Sequence, residues 1–343
     1  MHLDTWSFPD DSPGINQIET GDPTMPPQDR FELRRVRIGA RGSVAPGNVS
    51  YQLELEFSSA DNIFVRDAWI AWNDIPVFDT IRFGNQKRHY GLDELNSSNF
   101  IMFQERPLMV DAVNENNRRL GLASYASSAD QVFNWRYGVF NMLPVDQTGV
   151  ITSNDYQIEL DGRLASTPWY EPTGDRYLHL GLSTVLAFPS DNPEITQAQF
   201  RTRPEGRSAS RWIDTGPIAG TEAYQLLGTE CVLNLGPLQI GGEYLSVWLQ
   251  RSQDAGTDVQ FHGGYLYASY FLTGEYLPWN RELGVVGRVE PYSDFLSPRH
   301  CRRGWGAWQL AARFSAADFS DDNIFGGIGR SGTFAVNWYW NSH

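Results

Sequence analysis

The sequence predicts an all-β chain, a transmembrane up-and-down antiparallel β-barrel. Three observations lead there. Apolar and polar residues alternate with a period of two, the connections alternate between long and tight, and long helical periodicity is absent.

The alternation is plain in several segments. Tyr51, Leu53, Leu55 and Phe57 interleave with Gln52, Glu54 and Glu56. Tyr156, Ile158, Leu160 and Leu164 interleave with Gln157, Glu159, Asp161 and Arg163. Trp308, Leu310, Ala312 and Phe314 share one stripe, and so do Phe334, Val336, Trp338 and Trp340. Strands of barrel length, about fourteen in all, are expected near 2–8, 30–44, 48–57, 65–72, 77–86, 118–127, 132–142, 156–169, 178–188, 223–234, 238–251, 261–274, 306–318 and 332–341. Tight turns at Ala45-Pro46-Gly47, Asn73-Asp74-Ile75-Pro76, Ser128-Ala129-Asp130-Gln131 and Leu235-Gly236-Pro237 alternate with long connections at 9–29, 87–117 and 189–222. The stretch 275–305 breaks the rule, being long where a tight turn is due. One loop-rich rim is what an outer-membrane barrel has. Greek-key sandwiches mix the two loop types, and no repeat of propeller length occurs. The chain reads as one domain, 1–343.

Composition narrows the function. The 343 residues carry 27 Lys+Arg against 41 Asp+Glu, a net charge of −14, which excludes a nucleic-acid binder working by bulk charge. With 12 Trp, 15 Tyr and 19 Phe, the chain is not a disordered one. No apolar run reaches the ~20 residues of a membrane helix, a test that does not bear on barrels. The first residues, MHLDTWSFPDD, lack the basic and apolar regions of a secretory signal. Two cysteines, Cys231 and Cys301, make no disulfide framework. The six histidines are scattered without zinc spacing, and neither a P-loop nor a nucleophile elbow is present. No metal, no cofactor and no catalytic set is expected. Asp67, Glu105 and Glu159 are the carboxylates a glycosidase reading would need, with nothing to bring two of them together.

Alternation alone does not say which stripe faces lipid. A soluble barrel buries its apolar face, and a membrane barrel turns it outward. Strand number favours lipid, because eight strands already reach the limit that side chains can fill. Trp69, Trp72, Trp135, Trp169, Trp248, Trp338 and Trp340 lie near strand ends, where interfacial girdles sit. The other reading is a soluble or surface β-domain that binds carbohydrate through exposed Trp and Tyr. An outer-membrane lipid hydrolase is a third, needing a Ser–His pair on the lipid face, with His179 or His262 as its histidine.

Several segments resemble one family. Phe31-Glu32-Leu33-Arg34-Arg35-Val36-Arg37 with Tyr51-Gln52-Leu53 looks like the first hairpin of the phosphate-selective porin O and P family. Ile81-Arg82-Phe83-Gly84-Asn85-Gln86-Lys87, Tyr90-Gly91-Leu92-Asp93-Glu94-Leu95-Asn96-Ser97-Ser98 and Phe103-Gln104-Glu105-Arg106-Pro107 look like its strand and third-loop signature. Tyr270-Phe271-Leu272-Thr273-Gly274-Glu275 and Val336-Asn337-Trp338-Tyr339 resemble late strands, so the likeness spans 30–341. The resemblance implies a 16-stranded bacterial outer-membrane barrel, a homotrimer in outer-membrane lipid. It also implies a passive diffusion channel for small solutes, with 87–117 as constriction loop. By its measure strands are missing and the sequence is truncated at both ends.

Channel selectivity resides in charge rings and pore width. Alternation puts Arg35 and Arg37 in the lumen, and the resemblance places Arg34 and Arg35 at an anion constriction. Lys87, Arg88 and Arg106 are candidates in the third loop. Arg201, Arg203, Arg207 and Arg211, four cations against Glu205 alone, resemble an arginine-lined mouth loop of phosphate-selective members. Glu94 stands where such members carry a phosphate-binding lysine, and Arg66 where they carry an acid. The third loop sums three cations against five acids, or −2. Weak selectivity for anions such as phosphate is therefore expected.

Overall fold

The computed structural model describes residues 2–8, 13–27, 29–44, 48–58, 62–115, 117–143, 145, 157–190, 198–295 and 304–342. Alternating β-branched and aromatic residues suit a pleated surface, and each long strand pairs with the next along the chain. At the start, β1 (His2–Trp6) and β2 (Arg30–Arg35) pair with each other, with α1 (Pro13–Thr20) between them. The wall then takes β3 (Arg37–Val44), β4 (Val49–Glu56), β5 (Phe64–Ile75), β6 (Asp79–Lys87), β7 (Arg118–Ser127), β8 (Phe133–Asn141), β9 (Ile158–Tyr170) and β10 (Arg176–Phe188). Helices α2 (Leu92–Leu95) and α3 (Leu108–Val113) lie between β6 and β7. A small hairpin of β11 (Arg201–Thr202) and β12 (Ile213–Asp214) precedes β13 (Thr221–Leu235), β14 (Leu238–Arg251) and β15 (Val259–Phe271). A second one, β16 (Trp279–Asn280) and β17 (Val285–Val286), precedes β18 (Ala307–Asp321) and β19 (Ile324–Tyr339).

Thirteen of these form one antiparallel up-and-down sheet, from β3 to β19. The fourteen expected strands are these thirteen with β1 added. The expected strand 30–44 is broken, since Val36 separates β2 from β3. Among the described residues no ladder joins β19 to β1 or β3, so the wall is an open arc.

Polarity is inside out. On β9, Ile158, Leu160 and Leu164 are exposed, while Glu159, Asp161 and Arg163 are 0%, 6% and 2% exposed. On β10, Leu180, Leu182 and Leu186 are exposed, and His179 and Ser183 are buried. The outward rows also give the band its height. Trp308 pairs with Trp338 near one rim, and His262 pairs with Asp318 near the other. Between residues 308 and 318 the outward positions are Leu310, Ala312, Phe314 and Ala316. At ~3.3 Å per residue and a tilt of ~40°, that run spans about 25 Å, the height of an outer-membrane apolar band. Trp72, Trp169, Trp248 and Trp338 are exposed on this surface. Trp69 departs from the expected girdle: it points inward and lines the lumen.

Connections 76–78, 171–175 and 236–237 are tight, and 88–117, 142–157 and 189–220 are long. One differs from expectation. β18 and β19 are joined by a two-residue turn, 322–323, with Asp322 at φ 47°, so β19 begins at Ile324 rather than near 332. Aspartate tolerates that left-handed conformation. The long stretch on the tight rim, which the sequence already marked, turns into the lumen over residues 272–295 and carries β16 and β17 there.

The lumen is therefore only partly open. Leu108, Met109 and Val110 of α3, with Ile213 of β12, pack in one buried cluster with Leu226, Leu245, Val247, Phe261 and Phe319 of the inner wall. Trp279, Val286 and Val289 form another with Leu92, Tyr177 and Phe271. Where the loops pack, strands are apolar on both faces, as in Val185-Leu186-Ala187-Phe188. Burial of both faces is what erases the period of two there.

This polarity predicts an asymmetric response to charge. Leu266→Arg, in mid-band and facing out, should lower the free energy of folding into lipid vesicles by about 2–4 kcal/mol. Gln52→Arg, on the lumen side, should change it little. Urea-dependent folding measures both, and equal losses would contradict the assigned faces.

Candidate functional site: a cationic lumen

The inward loops leave one large opening, a cavity of about 960 Å³ along the inner faces of β2–β8. The segment 87–106 and residues 280–287 of the other inward loop form its opposite side. Ten Lys and Arg side chains line it against five carboxylates, in a chain whose net charge is −14. Alternation explains the sorting. Charges that lipid rejects from the outer stripe collect on the inner one.

Most of these cations are already neutralised. Arg37 Nε lies 2.5 Å from Glu56 and its Nη1 3.2 Å from Glu54, and Arg66 reaches Glu56 at 2.8 Å. Arg34 pairs with Glu105, Arg118 with Asp67 at 3.1 Å, and Arg207 with Glu32 at 2.8 Å. Arg106 meets Glu94 at 2.5 Å and Asp93 at 3.1 Å. Lys87 Nζ donates to the Glu94 and Asn96 carbonyls and lies 3.9 Å from the Glu94 carboxylate. Glu94 is thus buried and held by Arg106, not a free acid facing a solute.

Three guanidiniums of the cavity differ. Among the described residues, no carboxylate lies within 4.0 Å of Arg35, Arg82 or Arg136. Arg35 Nη1 is 3.3 Å from His2 Nδ1. Arg82 Nη1 donates to the Tyr125 hydroxyl at 3.2 Å, and Arg136 donates to the Leu283 carbonyl. Alternation made Arg35 visible. It could also have shown Arg82, flanked by outward Ile81 and Phe83, and Arg136, flanked by Trp135 and Tyr137; both were missed. Arg34 shares the cavity with Arg35 because the β1–β2 ladder shifts register there: His2 pairs with Arg35 and Leu3 with Leu33, so Arg34 is an extra residue and the alternation slips.

Four sequence candidates lie outside this cavity. Arg88 is 2% exposed and bonds Glu159 at 3.0 Å, with further bonds to the Val113 carbonyl and Asn114. It pins the third loop to β9. Arg201 and Arg211 clamp Glu115 at 2.9 and 2.6 Å, and Arg203 Nε donates to the Ser208 carbonyl at 2.9 Å. The Glu115 hydrogen bonds hold Arg201 above the usual arginine range, while burial, then Arg211 and Arg207, push Arg203 below it. These residues join the mouth loop to the third loop. Of the four mouth-loop arginines, Arg207 alone reaches the cavity.

Other chemistry finds little support. Asp67, Glu105 and Glu159 are each engaged by an arginine. Ser246, His262 and Asp318 are register neighbours on the outer face, yet no hydrogen bond joins them. His89, buried between the walls, bonds Asp161 at 3.1 Å; burial pushes its imidazole below the ordinary value against the pull of that acid. No group of three potential metal ligands occurs among the described residues.

A strand wall with an apolar outside and an ion-lined lumen defines a porin of the bacterial outer membrane. The kind of porin follows from the family comparison. The model of the phosphate-selective porin O and P family matches residues 15–343, and the chain belongs to that family. Among solved structures, the chain is similar to the in-vitro folded OmpT of Vibrio cholerae in its trimer form, at 10% identity, 90% of this chain, 76% of that chain and a TM-score of 0.50. A second structure of in-vitro folded OmpT from Vibrio cholerae gives 12% identity over 91% of this chain and 92% of that chain, at a TM-score of 0.41. Such identities speak to the fold alone. No curated protein matches the sequence.

The Arg88–Glu159 pair should be structural. Arg88→Met leaves a buried carboxylate with only Arg119, at 3.8 Å, beside it, and should destabilise the folded protein by about 3–5 kcal/mol. Thermal loss of the fast-migrating, unheated form on a gel measures this; an unchanged midpoint would show the pair to be idle.

Proposed function

We propose that this porin is a passive channel, not an enzyme, that favours small anions, phosphate among them, with 87–117 as its constriction loop. The excess of cations along the cavity carries this reading. A lumen of one sign focuses field lines and raises the local concentration of the opposite ion. Among the described residues, Arg35, Arg82 and Arg136 have no acid within 4.0 Å to compete with a passing anion, whereas Arg34, Arg37 and Arg207 are already engaged. A guanidinium suits phosphate because its donor fork is planar and permanently charged. The Glu94 carboxylate, gripped by Arg106, does not oppose an anion as an unpaired acid in the third loop would.

The carbohydrate-binding alternative has less support. The exposed Trp and Tyr residues of the wall strands, Trp72, Trp169, Trp248 and Trp338 among them, lie on the apolar outer surface rather than in a cleft. Assembly as a homotrimer is part of the proposal, supported by family membership and by the trimer form in which OmpT is described.

Replacing Arg35 by Gln should lower the chloride-to-potassium permeability ratio in planar bilayers. The drop should be largest near 0.01 M salt, where the screening length is about 30 Å, and small at 1 M, where it is about 3 Å. Reversal potentials in a salt gradient read this out, and an unchanged value would remove Arg35 from the role. Arg201→Gln, outside the cavity, should shift the ratio less than Arg35→Gln.

A further inference from the structure

The lower part of the cavity, toward the tight-turn rim, is built differently from the upper. Above, cations are held by carboxylates. Below, Arg82 and Arg136 are held by aromatic rings. The Arg82 guanidinium carbon lies 3.9 Å from the Trp69 ring centre and 4.2 Å from that of Tyr125. The Arg136 guanidinium lies 5.4 Å from the same Tyr125 ring. Tyr125 is itself fixed, donating to Gln86 Oε1 at 2.7 Å, and the His89 ring meets its edge at 4.8 Å. Gly84, opposite Trp69 in the register at φ +135°, has no room for a side chain: a Cβ would come within 2.2 Å of the Ala68 carbonyl oxygen.

Cation–π contact orients a guanidinium without neutralising it. The stacked Arg82 keeps its charge and part of its donor edge, and its enclosed Nε has no hydrogen-bond partner in the protein. Buried donors left unpaired are uncommon and ask for an explanation. Beside this pair the wall is apolar: Leu283, whose carbonyl accepts from Arg136, and Val285 line the same cavity. Two guanidiniums with no carboxylate partner among the described residues, the two rings that stack on Arg82 and two aliphatic side chains line one cavity. Tetrahedral inorganic phosphate has no use for the rings or the aliphatic wall. A carboxylate bearing a flat apolar ring uses all of it, pairing its oxygens with a guanidinium edge in one plane and laying its ring along that stack.

We propose that the Trp69–Arg82–Tyr125–Arg136 corner is a binding station for aromatic carboxylates inside the channel. The station rests on the anion-channel reading and extends it to a class of organic solute. Occupancy of such a station interrupts the flow of smaller ions.

The test uses the full chain in planar bilayers carrying a chloride current. Benzoate, cyclohexanecarboxylate and benzyl alcohol are compared as blockers; the first two share charge and differ in flatness, and the third lacks charge. Benzoate should block at a concentration about three- to tenfold lower than cyclohexanecarboxylate, the factor that one aromatic contact supplies. Benzyl alcohol should not block. Tyr125→Leu and Arg82→Lys, which keeps the charge but loses the stacked plane, should each abolish the difference between the two carboxylates. Equal block by both carboxylates in the unaltered protein overturns the station whatever the variants do, and so does a difference that survives both substitutions. The parent reading fails by another sign, a reversal potential without anion preference. A channel that prefers anions yet treats the two carboxylates alike loses the station only.

Discussion

Hydrocarbon offers no partner to a backbone amide or to a charge, and the rest of this structure follows from that constraint. A chain that spans lipid with strands must satisfy its amides sideways, strand to strand, and must turn its ionic side chains away from the acyl chains. Here thirteen antiparallel strands do the first, and strict alternation does the second. The consequence is a crowd of charges on one inner surface. They must pair with one another, with inward loops, or with whatever passes.

Those three fates divide the lumen. On the side of β9–β19, inward loops displace water and bury apolar residues against the wall, in two clusters anchored by α3 and by Trp279. The buried Arg88–Glu159 pair ties the third loop to the wall, and Arg163, paired with Glu230 of the wall, also donates to the Gly284 carbonyl of the other inward loop. On the side of β2–β8 the space stays open and the cations outnumber the acids. The two sides depend on each other. Without the packed half, the inward loops would have nothing to hold their shape; without the open half, the porin would have no path.

Pairing also ranks the arginines. A guanidinium already bonded to a carboxylate at 2.5–2.8 Å, as Arg37, Arg66 and Arg207 are, offers a passing anion little net attraction. One held by a ring or by a neutral histidine keeps its field. Counting basic residues in a loop therefore misjudges the site. The mouth loop holds four arginines, yet two of them are spent on Glu115.

The sequence by itself determined the strand class, the strand order and the face of most wall residues, because the side-chain period of a strand is two and lipid enforces it over every strand. Arg35 and Arg37 were legible on that ground, and Arg82 and Arg136 were open to the same reading. Three things were decided only in the tertiary structure. Segments 88–115, 198–220 and 272–295 follow no period, so nothing local says that they turn inward and fill part of the bore. Several carboxylates reach their arginines only because distant strands and loops meet, 71 residues apart in Arg34–Glu105 and 175 in Arg207–Glu32. The bulge at Arg34, which lets Arg34 and Arg35 line one cavity, exists only in the register that β2 takes against β1. Periodicity is a local property and survives in the sequence; contacts between distant segments are not, and only the folded chain holds them.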